Sequence, residues 1–258
     1  MPPTSGADAA TAALLARAIP FTFVFNVRDL GCLSTVDGRT VQPGRLYRAD
    51  GVNRLSGDDL DAARALGLRT VIDLRTKGEV DRGRFPIDEI HVTWHHLPMI
   101  RRMWSEDDLV ANDGDAASFL RDRYLDMLDE GAESIRQIVE LVADGTPALF
   151  HCAAGKDRTG VVAAILLSLV GVEPDEIAHD YHLSAHTMAA FMDWLREHHP
   201  DAVDAMSSQP KEYMAAPAEA MEAFLTEVDN RYGSMHGLAD HLGIQAKTIK
   251  SLSTALLD

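Results

Sequence analysis

The stretch that decides the fold is His151-Cys152-Ala153-Ala154-Gly155-Lys156-Asp157-Arg158-Thr159-Gly160. It stands between a short apolar run, Thr146 to Phe150, and a long one, Val161 to Val170, broken only by Ser168. The first reads as a strand and the second as a buried helix, with Thr159 to Leu169 helical. A loop of small residues at a strand–helix junction is an anion site. Its N–H groups can point inward, and the helix N-terminus adds partial positive charge. A thiol placed there is activated, because a helix N-terminus and nearby cations favour the thiolate. Lys156 and Arg158 supply those cations within the loop.

This arrangement suits phosphoryl transfer. The Cys152 thiolate attacks phosphorus in line with the leaving oxygen. The amides of Ala153, Ala154, Gly155, Lys156 and Asp157, together with the Arg158 guanidinium, hold the three equatorial oxygens. Water then hydrolyses the phosphocysteine. Thr159 is placed to hydrogen-bond the sulfur as it leaves. His151 reads as an orienting residue, since a thiolate needs no base. A Walker loop is the competing reading. It fails because position 150 is Phe rather than Gly and Asp157 follows Lys156 where Ser or Thr is required. A buried, inert cysteine is the bland alternative.

Outward from this loop the chain alternates helix and strand. Phe21 to Phe25 reads as a strand, and Asp37-Gly38 as a turn, with Val41 to Tyr47 completing a hairpin across Pro43-Gly44. Ser56 opens a helix with Asp59 three residues on and Gly67 as its stop. Thr70 to Leu74 and Val92 to Leu97 read as strands. Residues 99–115 read as a mobile loop or a solvated connector. Residues 116–143 are helical in pattern, broken near Gly131. From Glu173 on the pattern is almost wholly helical, Pro174 standing near a helix start. Alternating helix and strand predict an α/β fold with a mostly parallel central sheet.

The chain has 258 residues, enough for one large α/β domain behind an Ala-rich arm over residues 1–18. Its formal net charge of −16 argues against non-specific attraction to nucleic acid or an anionic membrane. Cys32 and Cys152 are its two cysteines, too few for a disulfide framework. The N-terminus lacks a basic region and a long apolar stretch, so no signal peptide is read. No apolar run approaches the ~20 residues of a membrane span. The expected location is the cytoplasm, with secretion by another route left open.

The loop is similar to the signature of protein tyrosine phosphatases. Its Gly155-to-Gly160 ending resembles the bacterial branch typified by mycobacterial PtpB-like enzymes. Asn26-Val27-Arg28-Asp29-Leu30-Gly31, Gly44-Arg45-Leu46-Tyr47-Arg48 and Val71-Ile72-Asp73-Leu74-Arg75 resemble that branch's N-terminal motifs. Tyr232-Gly233-Ser234 and Leu242-Gly243-Ile244 resemble its C-terminal pattern. The resemblance implies a three-layer cysteine-phosphatase fold over residues 19–258, with a helical lid at about 185–215. It implies a phosphomonoester hydrolase of phosphotyrosine protein or phosphoinositide, dual in specificity and needing no cofactor or metal. A small phosphorylated metabolite is the alternative substrate, and a catalytically weak phosphate-binding module the alternative class. No oligomeric state is read.

One departure concerns the proton donor. Related enzymes can carry an acid soon after a Leu-Pro strand end, but Leu97-Pro98 is followed by Met99-Ile100-Arg101-Arg102. Asp157 is the first substitute, with Glu106, Asp107 and Asp108 behind it; Asp157 can equally be a structural carboxylate paired with a cation. His179, His182 and His186 are spaced to share a helical face, either as zinc ligands or as plain surface and lid residues. Arg28, Asp29, Arg48, Asp73 and Arg75 read as a buried network bracing the cysteine loop, with Arg28 or Arg75 as alternative substrate contacts. Cys32 reads as a small buried residue, or else as a redox partner of Cys152.

Overall fold

The computed structural model describes residues 16–102, 116–198 and 215–258, with isolated positions 12, 200 and 203. Five strands form its sheet: β1 (Arg28–Asp29), β2 (Leu46–Ala49), β3 (Thr70–Asp73), β4 (Thr93–His96) and β5 (Ala148–His151). Their order is β1-β2-β5-β3-β4, with β1 antiparallel to β2 and every other pair parallel. The α/β class with a mostly parallel sheet is therefore correct.

Period-two alternation sorts the strand residues to two faces. Tyr47, Val71 and Leu149 face one way, with Val52, Leu55, Ala63 and Phe85. That layer is built from helix α1 (Asp58–Ala65) and the chain around the short helix α2 (Lys77–Val80). Leu46, Ile72 and Phe150 face the other way, into the larger core. Its helices are α3 (Ala116–Glu130), α4 (Ala132–Asp144), α5 (Asp157–Leu169), α6 (Pro174–His182), α8 (Ala218–Tyr232), α9 (Met235–His241) and α10 (Ala246–Leu256). Helix α7 (Ser184–His198) lies between α6 and α8 in the chain. Helix α5 is buried nearly all round, as its run of Val, Ala, Ile and Leu requires.

The register brings three strand ends together. Ala49, His151 and Asp73 lie opposite one another across β2, β5 and β3. The segments leaving these strands, at Asp50, Cys152 and Leu74, therefore emerge side by side at the carboxyl edge of the sheet, where open α/β sheets bind ligands.

Several local expectations are corrected. Phe21 to Phe25 is not a strand. Its amides turn to carboxylates instead: Thr22 N–H donates to Asp59, and Phe25 N–H to Asp50. Asp59 is thereby drawn away from a capping box, and α1 starts at Asp58 behind Gly57 rather than at Ser56. Val41 to Tyr47 does complete a hairpin across the Asp37-Gly38 turn, Val41 N–H donating to Leu33 O and Leu46 O accepting from Leu30 N–H, but its regular strand begins only at Leu46, and Val41 also bridges Leu257. Cys32 is exposed, not buried, in a left-handed turn with φ 65°. Met99 and Ile100 are buried core residues, so the connector begins only after them. Glu106, Asp107 and Asp108 lie outside the described residues, as does much of the 185–215 segment beyond α7.

Candidate active site

Cys152 follows β5 directly, is 2 % exposed and carries a free thiol. The loop after it is shaped from outside by its carbonyls. Gly51 N–H donates to Ala153 O at 3.1 Å. Asn26 Nδ2 donates to Ala154 O at 3.2 Å and Gly155 O at 2.9 Å. Arg48 Nη2 donates to Gly155 O at 2.8 Å. In a trans peptide, C=O and the following N–H point oppositely. The N–H groups of Ala154, Gly155 and Lys156 are therefore turned away from the scaffold, toward the concave side of the loop. Gly155 has φ 65°, and a Cβ there would stand 2.7 Å from Ala49 O. Only glycine allows the loop to lie this close to β2.

The support beneath the loop centres on Asp180 of α6. Its carboxylate accepts from Arg28 Nε at 3.0 Å and Arg48 Nη1 at 2.7 Å, and pairs with Arg17 Nη2 at 2.8 Å. Burial opposes its charge, but Arg28, Arg48 and Arg17 outweigh it and hold the carboxyl far below the usual range. Arg28 also donates to Asn26 Oδ1, which orients that amide toward the loop. The expected bracing network is thus present for Arg28 and Arg48. Arg75 serves a neighbouring one, gripping Asp73 at 2.7 Å and Asn53 Oδ1 at 3.0 Å. Asp29 caps the nearby turn through Gly31 N–H and Gly44 N–H.

Arg158 lies in the first turn of α5 and meets Glu79 in a two-pronged pair, Nη1 to Oε2 at 2.7 Å and Nη2 to Oε1 at 3.0 Å. Burial opposes the guanidinium charge, yet Cys152, Glu79 and Asp157 outweigh it and hold Arg158 above its ordinary range. Burial likewise opposes ionisation of Glu79, but Arg158 and Thr76 bring it down to about 2. Glu79 was not singled out from sequence. Its signal was available, because Thr76-Lys77-Gly78-Glu79 has the spacing of a capping box and closes one in the structure.

Asp157 Oδ1 accepts from Tyr124 Oη at 2.7 Å and lies 3.1 Å from Lys156 Nζ. Tyr124 has one proton, so Tyr181, 2.6 Å away, donates to Tyr124 in turn. Lys156 Nζ also donates to Ala215 O at 2.7 Å. Thr159 is fully buried, and its Oγ1 has no hydrogen-bond partner among the described residues. His182 Nδ1 lies 2.8 Å from Ala216 O. Helix α7 packs Met188, Phe191 and Leu195 against Phe25 and Ala154, so it covers one side of the loop.

A thiol in a glycine-pinned loop, at the carboxyl edge of a parallel sheet and near a paired arginine, is the arrangement a cysteine-dependent phosphatase requires. Residues 19–258 match the tyrosine phosphatase family model, and the chain belongs to that family. It is 30 % identical over 275 aligned positions to the triple specificity protein phosphatase PtpB of Mycobacterium tuberculosis, covering 90 % of this chain and 96 % of that one. It is 28 % identical over 225 positions to a tyrosine-protein phosphatase of Nostoc commune, covering 81 % of this chain and 73 % of that one. Among the described residues no helix is long and apolar enough to cross a membrane.

Two predictions follow from charge burial. His151 is fully buried beside Asp73, and burial, opposed by Asp73, depresses it from 6.5 to about 4. The unfolded chain takes up this proton first as pH falls. Stability from this site is complete above pH 6.5 and drains away toward pH 4, by roughly 3 kcal/mol. Urea unfolding across that window should show the slope in the wild type and lose that part of it in His151→Asn. Glu79→Ala strands the Arg158 charge and should cost roughly 3 kcal/mol at pH 7 by the same measurement.

Proposed function

We propose that the chain hydrolyses phosphomonoesters through a phosphocysteine on Cys152, with phosphotyrosine protein or phosphoinositide as substrate. The observation that carries this reading is the loop whose carbonyls are held by Gly51, Asn26 and Arg48, with amides turned inward beside Cys152. In this reading the amides from Ala153 to Asp157 and the Arg158 guanidinium bind the equatorial oxygens. Glu79 occupies the end of the guanidinium, Nη1 and Nη2 together, which leaves its Nε edge for phosphate. Lys156 contributes its amide and positive charge. Thr159 Oγ1, buried without a partner among the described residues, is suited to hydrogen-bond the cysteine sulfur. Residues 19–258 form one catalytic unit, and α7, packed against Phe25 and Ala154, serves as the lid.

Asp157 is the proton donor in this reading. It stands at the end of the loop, and Tyr124 and Lys156 fix the direction of its carboxyl. The same two contacts equally suit a carboxylate whose task is to hold Lys156, and leaving-group dependence separates the roles. General acid catalysis is worth about 10²–10⁴-fold where the leaving group is poor. Asp157→Asn should lose that factor on phenyl phosphate and little of it on p-nitrophenyl phosphate. Full retention of phenyl phosphate turnover assigns Asp157 to Lys156 alone.

The nucleophile is tested by rapid quench with ³²P-labelled phosphotyrosine peptide. Wild type should yield a phosphoenzyme whose label survives alkali and is released by iodine, as an S–P bond requires, and Cys152→Ser neither phosphoenzyme nor turnover. Comparable turnover in Cys152→Ser would overturn the reading. A panel of phosphotyrosine peptide, phosphoinositide and sugar phosphates separates the substrate classes; preference for the sugar phosphates would favour a metabolite phosphatase.

A further inference from the structure

The residues that match the family begin at 19, yet a deeply buried charge cluster contains a residue before that point. Arg17 Nη2 lies 2.8 Å from Asp180 Oδ1, and Arg17 Nη1 donates to Asp29 O at 3.1 Å. Its backbone is seated by Ala18 bridging Arg28 and by Ile19 N–H donating to Val27 O at 3.0 Å. Arg17 is thus joined to β1, whose Arg28 shares the same carboxylate.

From Asp180 two branches reach the loop. One runs through Arg48, bonded to Asp180 Oδ2, and ends on Gly155 O. The other runs through Arg28 to Asn26 and ends on Ala154 O and Gly155 O. Arg28 grips both oxygens of that carboxylate, Nε on Oδ1 at 3.0 Å and Nη2 on Oδ2 at 3.1 Å, and Arg17 adds a second guanidinium on Oδ1, reinforcing the orientation from which both branches hang. It is also the outermost member: its side chain is 13 % exposed, against 0–1 % for Arg28, Arg48 and Asp180. Deleting it leaves Asp180 paired with two guanidinium groups, so the core charge stays compensated.

Resting on the phosphate-cradle reading above, we propose that Arg17, from outside the family-matched region, is a positioning residue for the cradle, acting through Asp180 on the carbonyls of Ala154 and Gly155. The bland alternative is that the ion pair merely ties the N-terminal arm to the sheet.

Amide hydrogen exchange of the full chain separates the two without using catalysis. In Arg17→Gln, exchange should quicken in the peptide spanning 152–158, and vanadate should bind about three- to tenfold more weakly, the range expected of a residue in a coupled network. The thermal midpoint should move little, and Arg17→Lys, which keeps the charge without the fork, should recover part of the loss. Faster exchange confined to residues 16–29 with unchanged vanadate affinity would overturn the proposal in favour of arm-anchoring, and no change in either quantity would overturn it outright. Were Arg17→Gln to melt too low, Arg17→Lys alone decides by the same two quantities. Quickened loop exchange in a protein whose wild type binds no vanadate would sink the phosphatase reading and leave the positioning role standing.

Discussion

Asp180 is a single carboxylate sealed among arginines, and the shape of the cysteine loop depends on it. A buried charge is costly unless every lone pair is met. Here Arg28 and Arg48 bring more donors than one carboxylate can take, and the surplus N–H groups go to the loop, Arg48 directly and Arg28 by way of Asn26. In this arrangement the carbonyls of Ala154 and Gly155 face the scaffold. Burial and mutual repulsion between Arg28 and Arg48 bring Arg28 down to about 10, still charged at neutral pH. In a chain with net charge −16 this leaves a local excess of cations directly beneath the cysteine loop.

The sheet makes that network reachable. β5 lies between β2 and β3, so the chain leaving either neighbour runs beside the loop. Gly51 and Asp50 come from the β2 side, and Thr76 with Glu79 from the β3 side. The loop is thus held from below by arginines, from one side by a backbone amide, and across its mouth by the Glu79–Arg158 pair. Arg158 apart, none of these supports is near Cys152 in the chain.

That separation explains what could be read from the sequence. The candidate cradle is contiguous, so residue spacing from Cys152 to Thr159 marks it out, and the apolar runs on either side are the strand and helix they were read as. Arg28 and Arg48 could be suspected as charged residues at strand ends. Asp180 could not, because it sits on an ordinary amphipathic helix among His179 and His182 with no local mark of burial. Phe21 to Phe25 failed as a strand because its alternation is set by two separate packing tasks. Phe21 packs with the α1 layer, while Phe25 turns to α7. Long-range carboxylates, Asp59 and Asp50, take the amides that a sheet partner would have used. Cys32 was misplaced because a lone cysteine carries no pattern, and its left-handed turn is fixed by the Val41 carbonyl rather than by its neighbours.

The same logic joins the covering helix to the cradle. Arg54 lies beneath the rings of Trp194 at 4.8 Å and Phe191 at 5.3 Å, both on α7, and its other face pairs with Asp50. Asp50 in turn accepts from the Phe25 and Asn26 amides, and Asn26 is the residue that grips Ala154 O and Gly155 O. A cation over an aromatic face is worth up to about 2 kcal/mol when shielded from water. The rings of α7 and the carbonyls of the cysteine loop are therefore joined through one chain of contacts, Arg54 to Asp50 to Asn26, and Asn26 is one of the two side chains that hold those carbonyls.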